Sequence, residues 1–187
     1  MITKKIVAGK YKNKTINLPS LDTTRSTKSI IKESLFDTLQ FDVVDENFVE
    51  VFGGSGSMGL EALSRGATHA YFFEKDKKAY SVLRENCIRI AKNDTTCISG
   101  DSFIEFPKFI QKQKNKAFFY FDPPFSVREG MEDIYKNTLK LIEIIPPELS
   151  HLIIIEHMSR QKMPEVIGNY TIKKTKKFGK SALTYYT

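Results

Sequence analysis

The chain's 187 residues are 41% hydrophobic and carry a formal net charge of +7, enough apolar material for one sizeable core. The N-terminus is too polar for a secretion signal, and no apolar run approaches the roughly 18 residues of a membrane span. Cys87 and Cys97 form no Cys-x-x-Cys pair and have no clustered histidines, which excludes a metal-site pattern and leaves two reduced thiols; a monomeric cytoplasmic protein with neither membrane nor metal as partner is expected.

In chain order, Lys4 to Pro19 reads as two short strands about a turn near Lys12-Asn13, closed by the proline. A helix follows over Thr27–Gln40, with Ile30, Ile31, Leu35, Phe36 and Leu39 on one side at helical spacing. From there strands and helices alternate. The strand Phe48–Phe52 turns through Gly54–Gly59 into the helix Leu60–Arg65. The strand Ala70–Phe73 leads to the helix Lys77–Ala91, and Thr96–Ser99 to a helix over Phe103–Gln113. The strand Ala117–Phe121 leads through a loop to the helix Met131–Ile144. Leu152–Ile155 is the next strand, and Tyr170–Thr175 and Ala182–Tyr186 form a closing hairpin. Apolar strands alternating with helices indicate a parallel sheet covered on both faces. The expected class is α/β: a Rossmann-like seven-stranded sheet with an antiparallel C-terminal hairpin and an N-terminal β-hairpin extension. No linker divides it, so residues 1–187 read as one domain with 1–20 as a basic arm.

Charge is unevenly distributed. Residues 1–32 hold eight Lys or Arg against Asp22 alone, and residues 160–187 hold seven against Glu165 alone. The middle, 33–159, has 14 basic and 20 acidic residues. Basic ends around an acidic middle suggest that the ends face a polyanion; solvated termini are the plainer alternative. Lys4, Lys5, Lys10 and Lys12 on the N-terminal hairpin are the leading candidates for phosphate contacts. The lysines from Lys173 to Lys180 rank lower, because their alternation also fits the solvent face of an edge hairpin. So polar an N-terminal hairpin has few apolar residues for a core, and a chain lacking residues 1–18 is expected to stay folded.

Gly54-x-Gly56-x-x-Gly59 lies between a strand and a helix, where glycines allow a tight turn and close approach of a ligand to the backbone. Glu74, 20 residues beyond Gly54 at the end of the next strand, can accept from two ribose hydroxyls. Asp101 follows the third strand and can reach an adenine amino group. This pattern fits a dinucleotide or S-adenosylmethionine. Glu50 leans toward the second, since a carboxylate suits a cationic methionine end and not a pyrophosphate.

The most specific signal is the apolar strand Ala117–Phe121 running into Asp122-Pro123-Pro124-Phe125. It places a carboxylate at the carboxyl edge of the sheet, where open α/β sheets bind ligands. The prolines leave their carbonyls free as acceptors. An exocyclic base amine is a poor nucleophile because its lone pair is delocalised into the ring. The Asp122 carboxylate and the Pro123 carbonyl can hold its two N–H groups and aim the lone pair at a methyl donor. Asp122 can then take the released proton, and Phe125 offers a face for stacking.

These motifs, with Ile6-Val-Ala-Gly-Lys-Tyr-Lys12, Arg25-Ser-Thr27, Lys32-Glu-Ser-Leu-Phe36 and Gly59-Leu-Glu-Ala-Leu-Ser-Arg65, resemble the RsmD family, the bacterial 16S ribosomal RNA guanine-N2 methyltransferases. The likeness runs from about residue 5 to the C-terminus. It implies S-adenosylmethionine as cofactor, held by Glu50, Phe52, Gly54, Gly56, Glu74 and Asp101, and catalysis at Asp122, Pro123, Pro124 and Phe125. It adds Arg25 and Thr27 as substrate-side residues, and ribosomal RNA or a small-subunit particle as partner. Ser26 stands where the family usually has proline, and Glu50 where it usually has aspartate. The alternative is methylation of another base amine, such as adenine N6, in DNA or RNA.

Overall fold

The computed structural model describes residues 2–19, 25–124 and 133–187. A hairpin of β1 (Thr3–Lys5) and β2 (Thr15–Asn17), with Lys4 opposite Ile16, precedes α1 (Arg25–Leu39). There follow β3 (Asn47–Glu50), α2 (Ser57–Ser64), β4 (His69–Glu74), α3 (Lys77–Ala91), β5 (Thr95–Ser99), α4 (Ser102–Ile110), β6 (Ala117–Phe121) and α5 (Ile134–Glu143). The chain ends in β7 (Ser150–Met158), β8 (Val166–Ile167), β9 (Tyr170–Phe178) and β10 (Ser181–Tyr186).

The main sheet runs in the order β5-β4-β3-β6-β7-β10-β9-β8. The first five are parallel, and β10 lies antiparallel between β7 and β9. The expected seven strands are joined by an eighth, the two-residue β8 on the β9 edge. It was missed because two residues show no alternation. The chain steps outward from β3 to β5 and then returns to β6 on the other flank of β3. That reversal opens a crevice between the carboxyl ends of β3 and β6.

Both faces of the sheet are covered, so β6 is apolar and buried along its whole length. One core joins the sheet to α1, α2 and α3 through Ile31, Leu35, Phe36, Leu60, Leu63 and Leu83. The other joins it to α4 and α5 through Phe106, Ile110, Leu141 and Ile142. Ile30, expected on the inner face of α1, is 53% exposed. The helix after the glycine loop begins at Ser57, not Leu60, so Gly59 lies inside it. A Cβ there would come within 2.4 Å of the Phe72 ring, so glycine is what lets α2 lie flat on β4. The last helix begins at Ile134; the start expected at Met131 lies outside the described residues.

The N-terminal hairpin is more than an attached arm. Ile6 and Ile16 are fully buried in the α1–α3 core. Beneath it the wholly buried Glu61 carboxylate accepts the Val7 N–H at 2.9 Å and the Ala8 N–H at 3.1 Å. The same carboxylate pairs with Lys32 at 3.1 Å and Arg65 at 3.0 Å. Asn86 on α3 accepts the Asn17 N–H and donates to the Asn17 carbonyl, each at 2.9 Å. Contrary to the expectation drawn from its polarity, removing residues 1–18 would take two core side chains away and strip a buried carboxylate of two donors. That deletion is expected to unfold the chain or leave it markedly less stable. Ile16→Ala alone should cost about 2–5 kcal/mol, read as a lowered urea midpoint; an unchanged midpoint would mean the hairpin contributes nothing to the core.

Candidate active site

The glycine loop leaves β3 and enters α2 with Gly54 at φ 51° and Gly56 at φ 77°, left-handed positions that favour glycine. A Cβ on Gly56 would also come within 2.7 Å of Leu83. The N–H groups of all four glycines here are engaged. Gly53 donates to the Phe73 carbonyl at 2.7 Å and Gly56 to the Gly53 carbonyl at 2.7 Å. Gly54 donates to Glu74 Oε2 at 2.9 Å, and Gly59 to Glu50 Oε2 at 2.8 Å. Glu74 Oε1 also accepts the Asp76 N–H at 2.8 Å. Glu50 thus sits at the N-terminal end of α2, where a bound anion would otherwise sit. Burial pushes its carboxyl up to about 8, against the pull of the Gly59 and Met58 N–H groups.

Across the crevice, Asp122 follows β6 and meets a residue that sequence reasoning missed. Lys28 Nζ lies 2.6 Å from Asp122 Oδ2 and 2.7 Å from Glu156 Oε1. Tyr120 donates its hydroxyl to Glu156 Oε2 at 2.6 Å. Burial by itself would lower the pKa of Lys28; the Asp122 and Glu156 carboxylates outweigh it and hold the ammonium well above its ordinary value. Burial and then the Asp122 charge raise Glu156, with Lys28 opposing both. Lys28 stands 94 residues from Asp122 and 128 from Glu156, so no local pattern links them. The available signals were its place next to Thr27 and a carboxylate at the end of the apolar strand β7.

A cavity of about 270 Å³ opens at this junction, and Lys4, Lys28, Glu50, Gly54, Tyr120 and Asp122 are among its walls. Phe52 lines it too, edge-on to Phe103 at 5.7 Å. Glu74 and Asp101 do not line it. They stand one and two strands further out, at the carboxyl ends of β4 and β5. Asp101 caps α4 by accepting the Phe103 N–H at 3.0 Å. Pro123 and Pro124 follow Asp122 directly, whereas Phe125 lies outside the described residues. Arg25 and Thr27 fall on the first turn of α1. Of the candidate lysines, only Lys4 reaches the cavity, while Lys5 is exposed beside it on β1. Lys10 and Lys12 are carried elsewhere. The Lys10 N–H bonds the Ser64 carbonyl at 2.7 Å, at the far end of α2, so the turn they sit on lies at the opposite edge of the sheet.

The family described as conserved hypothetical protein 95 matches residues 4–187. The chain belongs to that family. The resemblance read from the motifs holds over nearly the whole length. The ribosomal RNA small subunit methyltransferase D of Escherichia coli K12 is 28% identical over 184 residues, covering 97% of this chain and 88% of that protein. The protein of the same name from Buchnera aphidicola subsp. Baizongia pistaciae is 29% identical over 184 residues, covering 97% and 90%. The solved structure of E. coli yhhF superposes with a TM-score of 0.77 at 26% identity, over 99% of this chain and 97% of that one. The α/β class is therefore shared with solved relatives.

For this member of the family, the Glu50 carboxyl predicts a pH dependence. Unfolded, Glu50 ionises near its ordinary 4.5; folded, it keeps its proton up to about 8. Between those values the folded state binds a proton that the unfolded state has released, so stability falls as pH rises through the window. Glu50→Gln removes the titration and should flatten this part of the curve. Urea unfolding of both proteins at about pH 5 and pH 8 checks it; parallel losses in the two would place the titration elsewhere.

Proposed function

We propose that the protein transfers a methyl group from S-adenosylmethionine to the exocyclic N2 amine of a guanine in small-subunit ribosomal RNA, in the cytoplasm. The observation that carries the reading is Asp122-Pro123-Pro124 at the end of β6, facing across one crevice a glycine loop in which Gly54 donates to Glu74 and Gly59 to Glu50. The Glu50 carboxyl fills the place at the start of α2 where a pyrophosphate would sit, which argues against a dinucleotide. The names of the E. coli and Buchnera relatives support ribosomal RNA as substrate.

The donor set fits the cofactor. Glu50, Glu74 and Asp101 stand at the carboxyl ends of three neighbouring strands, spaced about 4.8 Å apart. Glu50 would face the cationic methionine end, whose charge would favour the ionised carboxylate, and Glu74 the ribose hydroxyls through its remaining lone pairs. Asp101 would meet the adenine amine, with Phe52 and Phe103 against the ring. A Cβ on Gly54 would meet nothing within 4 Å, which leaves that side of the loop open to a ligand. The bound cofactor supplies an electrophilic methyl group on a sulfonium.

The chain's own residues handle the amine. Asp122 and the Pro123 carbonyl hold its N–H groups and turn the lone pair toward the methyl. As the N–C bond forms and the S–C bond breaks, Asp122 takes the proton that the nitrogen sheds. Lys28 occupies Asp122 Oδ2 in this structure. Its ammonium has no lone pair to be methylated, and it can yield that oxygen to the substrate while keeping its bond to Glu156. Lys28 is thus a positioning residue that balances two carboxylates.

Asp122→Ala should abolish transfer and leave calorimetric cofactor affinity nearly intact, and Asp122→Asn should be milder. Glu74→Ala should do the reverse, weakening cofactor binding by about 1–3 kcal/mol. Near-normal turnover in the first or unchanged affinity in the second would overturn the assignments. Lys28→Met leaves the carboxylates of Asp122 and Glu156 facing each other without a cation. The acid limb of kcat/KM should move to higher pH, and Lys28→Arg should restore it; a profile that stays in place in Lys28→Met would reduce Lys28 to packing.

A further inference from the structure

Strand register decides which basic segment stands near the site. Phe121 pairs with Ile155, so Asp122 stands level with Glu156. Glu156 pairs with Leu183, and Leu183 with Lys176. Beyond that level β7 continues through His157 and Met158, opposite Ala182 and Ser181, which pair in turn with Lys177 and Phe178. The turn joining β9 to β10 therefore projects past the carboxyl edge of the sheet, on the same side as Asp122. It is tied there by the Ser159 N–H bonding the Lys180 carbonyl at 2.8 Å. Three strand spacings of about 4.8 Å separate β9 from β6, or about 14 Å.

The chain leaving β7 adds to this edge. Arg160 and Lys162 are exposed there, as are Lys177 and Lys180 on the hairpin. Arg160 stays close to the reactive end. The Tyr135 phenol, raised by burial and opposed by the Met158 N–H that it accepts, also feels the charges of Asp122, Glu156 and Arg160. None of the four cations has a carboxylate within 4.0 Å among the described residues. Lys10 at the opposite edge does have one, Asp94 at 3.9 Å, and Lys10 and Lys14 both stack on Tyr11.

We propose that Arg160, Lys162, Lys177 and Lys180 form a phosphate-binding rim that holds the RNA backbone flanking the target base. This inference rests on the RNA reading above and reverses the order that charge counts suggest. Sequence alone ranks the N-terminal hairpin first, but its lysine-rich turn is carried away from the crevice. A base delivered into the crevice by Asp122 has its own strand passing over the adjacent edge. Four cations with no acidic partner would meet the backbone there, giving affinity without reading sequence.

The test uses the full chain and a fluorescein-labelled single-stranded RNA of about 20 nucleotides, titrated over a range of KCl concentrations. Each lost phosphate contact should make the slope of log affinity against log salt shallower by about 0.7. R160A/K162A/K177A/K180A should therefore show a slope reduced by about two to three and weaker binding. K10A/K12A/K14A should keep a slope near that of the wild type. Both should retain wild-type cofactor affinity by calorimetry and wild-type urea midpoints. A wild-type slope in the first variant, or the larger loss in the second, overturns the rim. If the wild-type protein itself shows no salt-dependent RNA binding while still binding cofactor, the RNA reading fails and the rim fails with it.

Discussion

The hydrogen bond from the Gly59 N–H to the Glu50 carboxyl organises the site. A helix N-terminus carries unpaired N–H groups and a partial positive charge that attract an anion. Here that place is filled from within the chain by the carboxyl of the last residue of β3, which accepts the N–H groups while keeping its proton up to about pH 8. That contact ties the first turn of α2 to the end of β3. It also fills the place where a phosphate would otherwise sit. The cost is a buried carboxyl whose ionisation is opposed by its surroundings, and Gly59 is what brings the helix close enough for the bond to form.

Charge balance governs the other wall of the crevice in the same way. Glu156 is wholly buried and Asp122 stands beside it at the end of the neighbouring strand. Two carboxylates this close need a cation, and Lys28 from α1 supplies it at 2.6 and 2.7 Å. Glu61 under the N-terminal hairpin inverts the device, one carboxylate held between Lys32 and Arg65. The two arrangements differ in access: Lys28 keeps about a third of its side chain exposed, against 6% for Lys32. The first lies open to a ligand at the cavity, while the second is a closed structural joint.

The glycine loop, the acidic residues at successive strand ends and the Asp-Pro-Pro turn were legible in the sequence because each is local. A strand, a turn and the next helix are written in one continuous stretch, as from Asn47 to Ser64, and their periodicity shows directly. The alternation of elements likewise gave the α/β class, and the motifs together gave the family. Periodicity missed the two-residue β8, and it placed Ile30 inside when helix packing left it out. The polarity of the N-terminal hairpin hid Ile6 and Ile16, because two buried isoleucines suffice when the surface beneath supplies the rest of the core.

Sequence by itself therefore determined the order of the elements and the identity of the strand-end carboxylates. Only the tertiary structure decided what those carboxylates touch. Lys28, Asp122 and Glu156 meet because α1 packs on β9 and β10 and its first turn reaches the ends of β6 and β7, an adjacency that residue spacing does not encode. The same holds for the two basic segments. Their charge is plain in the sequence, but which one reaches the reactive edge depends on strand direction and register. Antiparallel pairing of β10 with β7 turns the C-terminal hairpin toward Asp122, and packing along α2 turns the Lys10–Lys14 segment away.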